Sequence, residues 1–185
     1  PAAAMSAATK LNNEKARNAA LTMAAGQWAN SAPREAAEYV AQLPPGASQT
    51  SAGVSVAANW AERDPASAAQ WVVHFPEGGA RDKALSVVAR NWAEIDAGQA
   101  ATWIEALPDT RTKDTALSAF IGGLSDTDPA TAVQWVQQIS EPKLREQALA
   151  QTMRNWVQAD SASARAWMDQ AGFSDDMKQR ALNPK

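Results

Sequence analysis

The stretch Asn91-Trp92-Ala93-Glu94-Ile95-Asp96-Ala97-Gly98-Gln99-Ala100-Ala101-Thr102-Trp103 decides the fold, because the chain carries variants of it five times. Its first Trp recurs as Trp28, Trp60, Trp92 and Trp156, with Leu124 in the fourth copy, and each step is 32 residues. Its second recurs as Trp71, Trp103, Trp135 and Trp167, with Tyr39 in the first copy, always 11 residues after the first. A fixed period between about 20 and 50 residues marks an architecture of stacked supersecondary units.

Upstream of Trp92 the spacing predicts a helix over 80–94. Leu85, Val88, Ala89 and Trp92 fall at i, i+3, i+4 and i+7, which forms one apolar stripe. The stripe recurs as Leu21/Ala24/Ala25/Trp28, Gly53/Val56/Ala57/Trp60, Leu117/Phe120/Ile121/Leu124 and Leu149/Thr152/Met153/Trp156. A tight turn follows, in which Asp64-Pro65 and Asp128-Pro129 combine an N-cap carboxylate with a proline that has no amide to leave unsatisfied. Asp96 and Asp160 keep the cap alone. A second, shorter helix then carries Ala100, Trp103, Ile104 and Leu107, and its first stripe residue is Ala in every copy: Ala36, Ala68, Ala100, Ala132 and Ala164. A small residue there lets two helices approach closely. Pro44, Pro76 and Pro108 stop this helix.

These signals predict an all-α chain: an α-solenoid of about five stacked helix-turn-helix repeats with a C-terminal capping helix. Residues 1–11 read as a partly ordered lead-in and 12–182 as a single domain. Its repeats run approximately over 12–44, 45–76, 77–108, 109–140 and 141–172, with the cap over 173–182. The first residue is Pro1, and no signal-like segment follows, so the chain reads as a piece of something longer whose address is not on it.

Composition narrows the function classes. The 185 residues are 45% hydrophobic and include eight Trp but no Cys, which removes disulfides and thiolate metal sites. A net charge of -3 supplies no basic field for nucleic acid, and no run of apolar residues is long enough to span a membrane. His74 is the sole histidine and has no neighbouring second ligand. No phosphate-binding glycine loop or zinc-protease motif occurs, so neither a metal nor a cofactor is expected.

The helix stripe at i, i+3, i+4 and i+7, followed by the small residue Ala100, resembles the tetratricopeptide repeat over roughly residues 12–182, with Sel1-like or HEAT-like hairpins as related alternatives. That resemblance implies a right-handed superhelix whose first helices line a concave groove for peptides. It points to a non-enzymatic interaction or scaffolding module with a protein or peptide partner. The alternative is an accessory domain of an enzyme whose catalytic part lies elsewhere. Oligomeric state is left open.

On this reading Trp28, Trp60, Trp92, Trp156, Trp71, Trp103, Trp135 and Trp167 are structural anchors, because they share the stripe with aliphatic residues. The groove face holds Lys83, Arg90, Glu94, Arg154, Glu62 and Asp126 as contacts, with Ala93 on its floor. A ladder of Arg17, Gln49, Arg81, Lys113 and Arg145 lies at the N-terminal end of each first helix, where a cation opposes the helix dipole. Pairing with acidic or carbonyl groups of the preceding turn, such as Asp64 for Arg81 and Asp128 for Arg145, would offset this. Gly53 and Gly122-Gly123 break the pattern, which predicts looser packing, a shallow pocket or a bend in copies two and four.

Overall fold

The computed structural model describes residues 1–75 and 77–171, and all regular structure among them is helical. The helices are α1 (Ala2–Thr9), α2 (Glu14–Ala29), α3 (Pro33–Ala41), α4 (Ala47–Ala61), α5 (Pro65–Val72), α6 (Gly79–Ile95), α7 (Ala97–Glu105), α8 (Thr110–Thr127), α9 (Pro129–Trp135), α10 (Pro142–Ala159) and α11 (Ser161–Gln170). A short 3₁₀ turn, Val136–Gln138, extends α9. The five short helices α3, α5, α7, α9 and α11 start at residues 33, 65, 97, 129 and 161, in step with the Trp spacing. The expected cap over 173–182 lies outside the described residues.

The chain divides into two compact units, Pro1–Trp92 and Ala93–Lys185, and the division falls inside α6. In the first unit α2 packs on α3 and α4, α4 on α5, and α1 on α2. The lead-in is therefore a formed helix whose Met5 is fully buried. In the second unit α8 packs on α7, α9 and α10, and α10 packs on α9 and α11. Val133, Met153, Trp156, Ala164 and Met168 form one of its apolar clusters, with Leu149, Val157 and Trp167 packed against it.

Small residues set how closely the helices approach. Ala36, Ala68, Ala100, Ala132 and Ala164 have no exposed surface at all. At Gly26 an added Cβ would sit 2.4 Å from Ser55 Oγ, so a side chain there would require the Ser55 hydroxyl on α4 to move aside. The first-series Trp28, Trp60, Trp92 and Trp156 are buried. The second series is not equally deep: Tyr39, Trp71, Trp103, Trp135 and Trp167 are each half-buried. Within three copies the two aromatics touch, with ring centroids 5.7 Å apart for Trp28 and Tyr39, 6.0 Å for Trp60 and Trp71, and 5.9 Å for Trp156 and Trp167. In the fourth copy, where Leu124 replaces the Trp, Phe120 one turn earlier meets Trp135 edge-on at 5.2 Å. The aromatic pair is preserved by moving one member along the helix.

The two glycine breaks behave differently from a simple loosening. α8 runs unbroken through Gly122-Gly123, and Gly123 is buried. At Gly53 an added Cβ would lie 3.1 Å from the Phe75 ring, so that ring occupies the space a Leu fills in the other copies.

Candidate functional site

The charged residues that recur with the period serve first to finish helix ends. Asp64, Asp96, Asp128 and Asp160 accept the amides of Ser67, Gln99, Thr131 and Ser163, which have no partner inside the helix. Hydrogen bonds from the side chain and amide of Ser67 hold the Asp64 carboxyl below its ordinary value, and Thr131 and Ser163 do the same for Asp128 and Asp160. For Asp96 the Gln99 amide acts first and its side chain second. Bonds that favour the ionised form depress a carboxyl pKa. Asn13, Asp109 and Glu141 cap α2, α8 and α10 in the same way.

The cation ladder closes the opposite ends. Arg17 Nη1 donates to the Leu11 carbonyl at 2.9 Å, Lys113 Nζ to Glu105 at 2.9 Å and Arg145 Nη1 to Ile139 at 2.9 Å. Gln49 Nε2 donates to the carbonyls of Val40, Ala41 and Leu43 at 3.3, 3.3 and 3.0 Å. Each donor thus opposes its own helix dipole but sits at the negative end of the preceding helix, where donors and cations are favoured. The carboxylate pairing suggested for Arg145 does not form; its guanidinium goes to the Ile139 carbonyl, the other kind of acceptor expected of the preceding turn. Arg81, almost fully buried, lies 3.7 Å from Glu77.

The six residues proposed as groove contacts fall into two groups. Glu62, Lys83 and Arg90 lie in the first unit and are exposed. Glu94, Asp126 and Arg154 lie in the second, where Glu94 and Asp126 are exposed and Arg154 is half-buried. Asp126 and Arg154 belong to one hydrogen-bonded chain. Arg154 Nη2 donates to Gln151 Oε1 at 2.6 Å, Gln151 Nε2 to Asn155 Oδ1 at 2.8 Å and Asn155 Nδ2 to Asp126 Oδ1 at 2.9 Å. Ala93, read as part of the floor, is buried instead, because it packs inward beside the Trp92 stripe position.

One concavity in the first unit is a cavity of about 730 Å³ against the C-terminal ends of α3 and α5. Val40, Leu43, Pro45, Trp71 and Phe75 make its apolar wall, with Gln49, Thr50, His74 and Glu77 at its polar edge. Trp71 and Phe75 pack edge-on, with centroids 4.5 Å apart. Gly46 and Gly78 border the cavity with φ of 155° and 142°, a region of backbone space open to glycine. Only Gly53 was legible as a break at this place. Thr50 and Phe75 carry no signal of their own, and their meaning appears only beside the residues one period away.

Asp114 was also missed. It is buried, and its two oxygens accept the amides of Ser140 and Glu141 at 2.9 and 2.8 Å, which clips the loop before α10. Among the described residues no three His, Cys, Asp or Glu side chains are grouped to hold a metal ion, and no helix is long and apolar enough to cross a membrane. Comparison with protein-family models, with curated proteins and with solved structures found no match.

Proposed function

We propose that the chain is a tetratricopeptide-like helical-hairpin repeat of the α-solenoid class, acting as a non-enzymatic protein–protein interaction or scaffolding module. The observation that carries this reading is the division of labour among the charged residues. Those that recur with the period, the Asp caps and the cation ladder, serve helix ends. Those that vary from copy to copy, Lys83 and Arg90 against Ser51 and Ala58 one period earlier and Thr115 and Gly122 one period later, stand exposed on the first helices, beside the exposed acidic Glu62, Glu94 and Asp126 that share one register. A fixed scaffold carrying a variable exposed face is the arrangement by which helical repeats recognise an extended partner.

Affinity capture with the wild type and with Arg90→Glu/Arg154→Glu tests this. The expected outcome is that a discrete partner held by the wild type is lost from the double variant while the circular dichroism spectrum is unchanged. Equal recovery of the same partner by both proteins removes Arg90 and Arg154 from the interface.

A further inference from the structure

The cavity between α3, α4 and the end of α5 exists because one copy departs from the other four at linked positions. One period either way, position 50 is Asn18 or an acidic residue, and two periods on it is Asp114. Asn18 accepts the hydroxyl of Ser48 in the first turn of α4, and Asp114 accepts the amides of Ser140 and Glu141 just before α10, so each ties down the entry to the next long helix. Thr50 is too short to make that clip, and the helix entry it would hold contains Gly78 and Gly79. At position 53 Gly replaces Leu, and at position 75 Phe replaces the Leu43, Leu107 and Ile139 of other copies. The Phe75 ring swings onto Gly53 and turns an aromatic wall toward the space left open.

The corresponding clefts in the first and fourth copies are smaller and more charged. The first-copy cleft measures about 360 Å³ and includes Glu14 and Arg17, and the fourth-copy cleft measures about 460 Å³ and includes Arg111, Asp114 and Glu141. The second-copy cavity is larger at about 730 Å³ and is walled by rings and aliphatic groups. That volume lies in the range of about 300–1,000 Å³ typical of small-molecule sites. Its one carboxylate, Glu77, lies 3.7 Å from Arg81. An entering anion would lose water with no Lys or Arg in the lining to meet it, which disfavours anionic ligands.

We propose that this cavity binds a neutral, ring-bearing small organic molecule, whose ring packs against Trp71 and Phe75 and whose polar end faces His74 and Thr50. This site is independent of the partner-binding face and stands or falls separately from it.

Titration of the whole chain with N-phenyl-1-naphthylamine, a neutral aromatic fluorophore, tests the site. The wild type is expected to give saturable, blue-shifted emission with one site per chain. Thr50→Phe, which fills the cavity, should weaken binding by about tenfold or more, whereas Thr115→Phe in the fourth-copy cleft should leave it unchanged. If Thr50→Phe lowers the melting temperature by itself, Ala41→Trp at an exposed position on the rim serves as the second filling variant. Absence of saturable binding to the wild type, or equal binding by the wild type and both cavity-filling variants, overturns the proposal. An equal loss in Thr50→Phe and Thr115→Phe overturns it as well, because the dye then reports general apolar surface.

Discussion

At the residue scale, the recurrent cations show how a phase read from sequence can place a side chain without naming its partner. Arg17, Lys113 and Arg145 could be placed at the start of a helix from spacing alone. Their acceptors are backbone carbonyls of the preceding helix or turn, and a carbonyl has no sequence signature. Gln49 settles which property matters, since a neutral amide performs the same task with three carbonyls. Arg145→Leu should therefore cost about 1 kcal/mol in urea unfolding, and Arg145→Gln clearly less. Equal losses would show that charge, not donation, is what the position supplies. Gly53 and Phe75 form the other residue-scale pair. Gly53→Leu drives a side chain into the Phe75 ring and should destabilise by about 1–3 kcal/mol, the usual cost of overpacking. Adding Phe75→Leu should recover most of that loss, and strictly additive effects would refute the exchange of volume between the two positions.

At the element scale, the hairpin was legible because it needs few signals, each with a local cause. Asp-Pro starts the second helix, the i, i+3, i+4, i+7 stripe defines the first, and Ala permits close approach. The depth of the aromatics was not legible, because a helical wheel gives direction without the distance to solvent. The structure separates Trp156, which is 6% exposed, from Trp167, which packs on the same cluster half-buried. Trp156→Ala should cost about 3–5 kcal/mol by the precedent of large core truncations, and Trp167→Ala appreciably less. Thermal or urea denaturation of the two variants decides it, and equal costs would contradict the difference in burial. The fourth copy adds that what recurs is a packed aromatic pair and not a Trp at one position, since Phe120 and Trp135 meet where Leu124 forgoes the contact.

At the scale of the whole molecule, four Asp caps distributed from residue 64 to residue 160 make stability depend on acid in a predictable direction. Each carboxyl is held below its ordinary value of 3.8 by hydrogen bonds made only in the folded chain. As pH falls through that ordinary value, the unfolded chain takes up these protons first, so proton uptake favours unfolding. The capping contribution is therefore complete above the ordinary carboxyl range and is lost as pH drops through the lower folded values. Replacing all four with Asn isolates the effect, because Asn caps a helix about as well as Asp but does not titrate. The quadruple variant D64N/D96N/D128N/D160N should melt close to the wild type near neutral pH and fall less steeply on acidification. Melting curves recorded across the acidic range compare the two slopes. Parallel acid slopes would mean that these caps do not set the acid sensitivity.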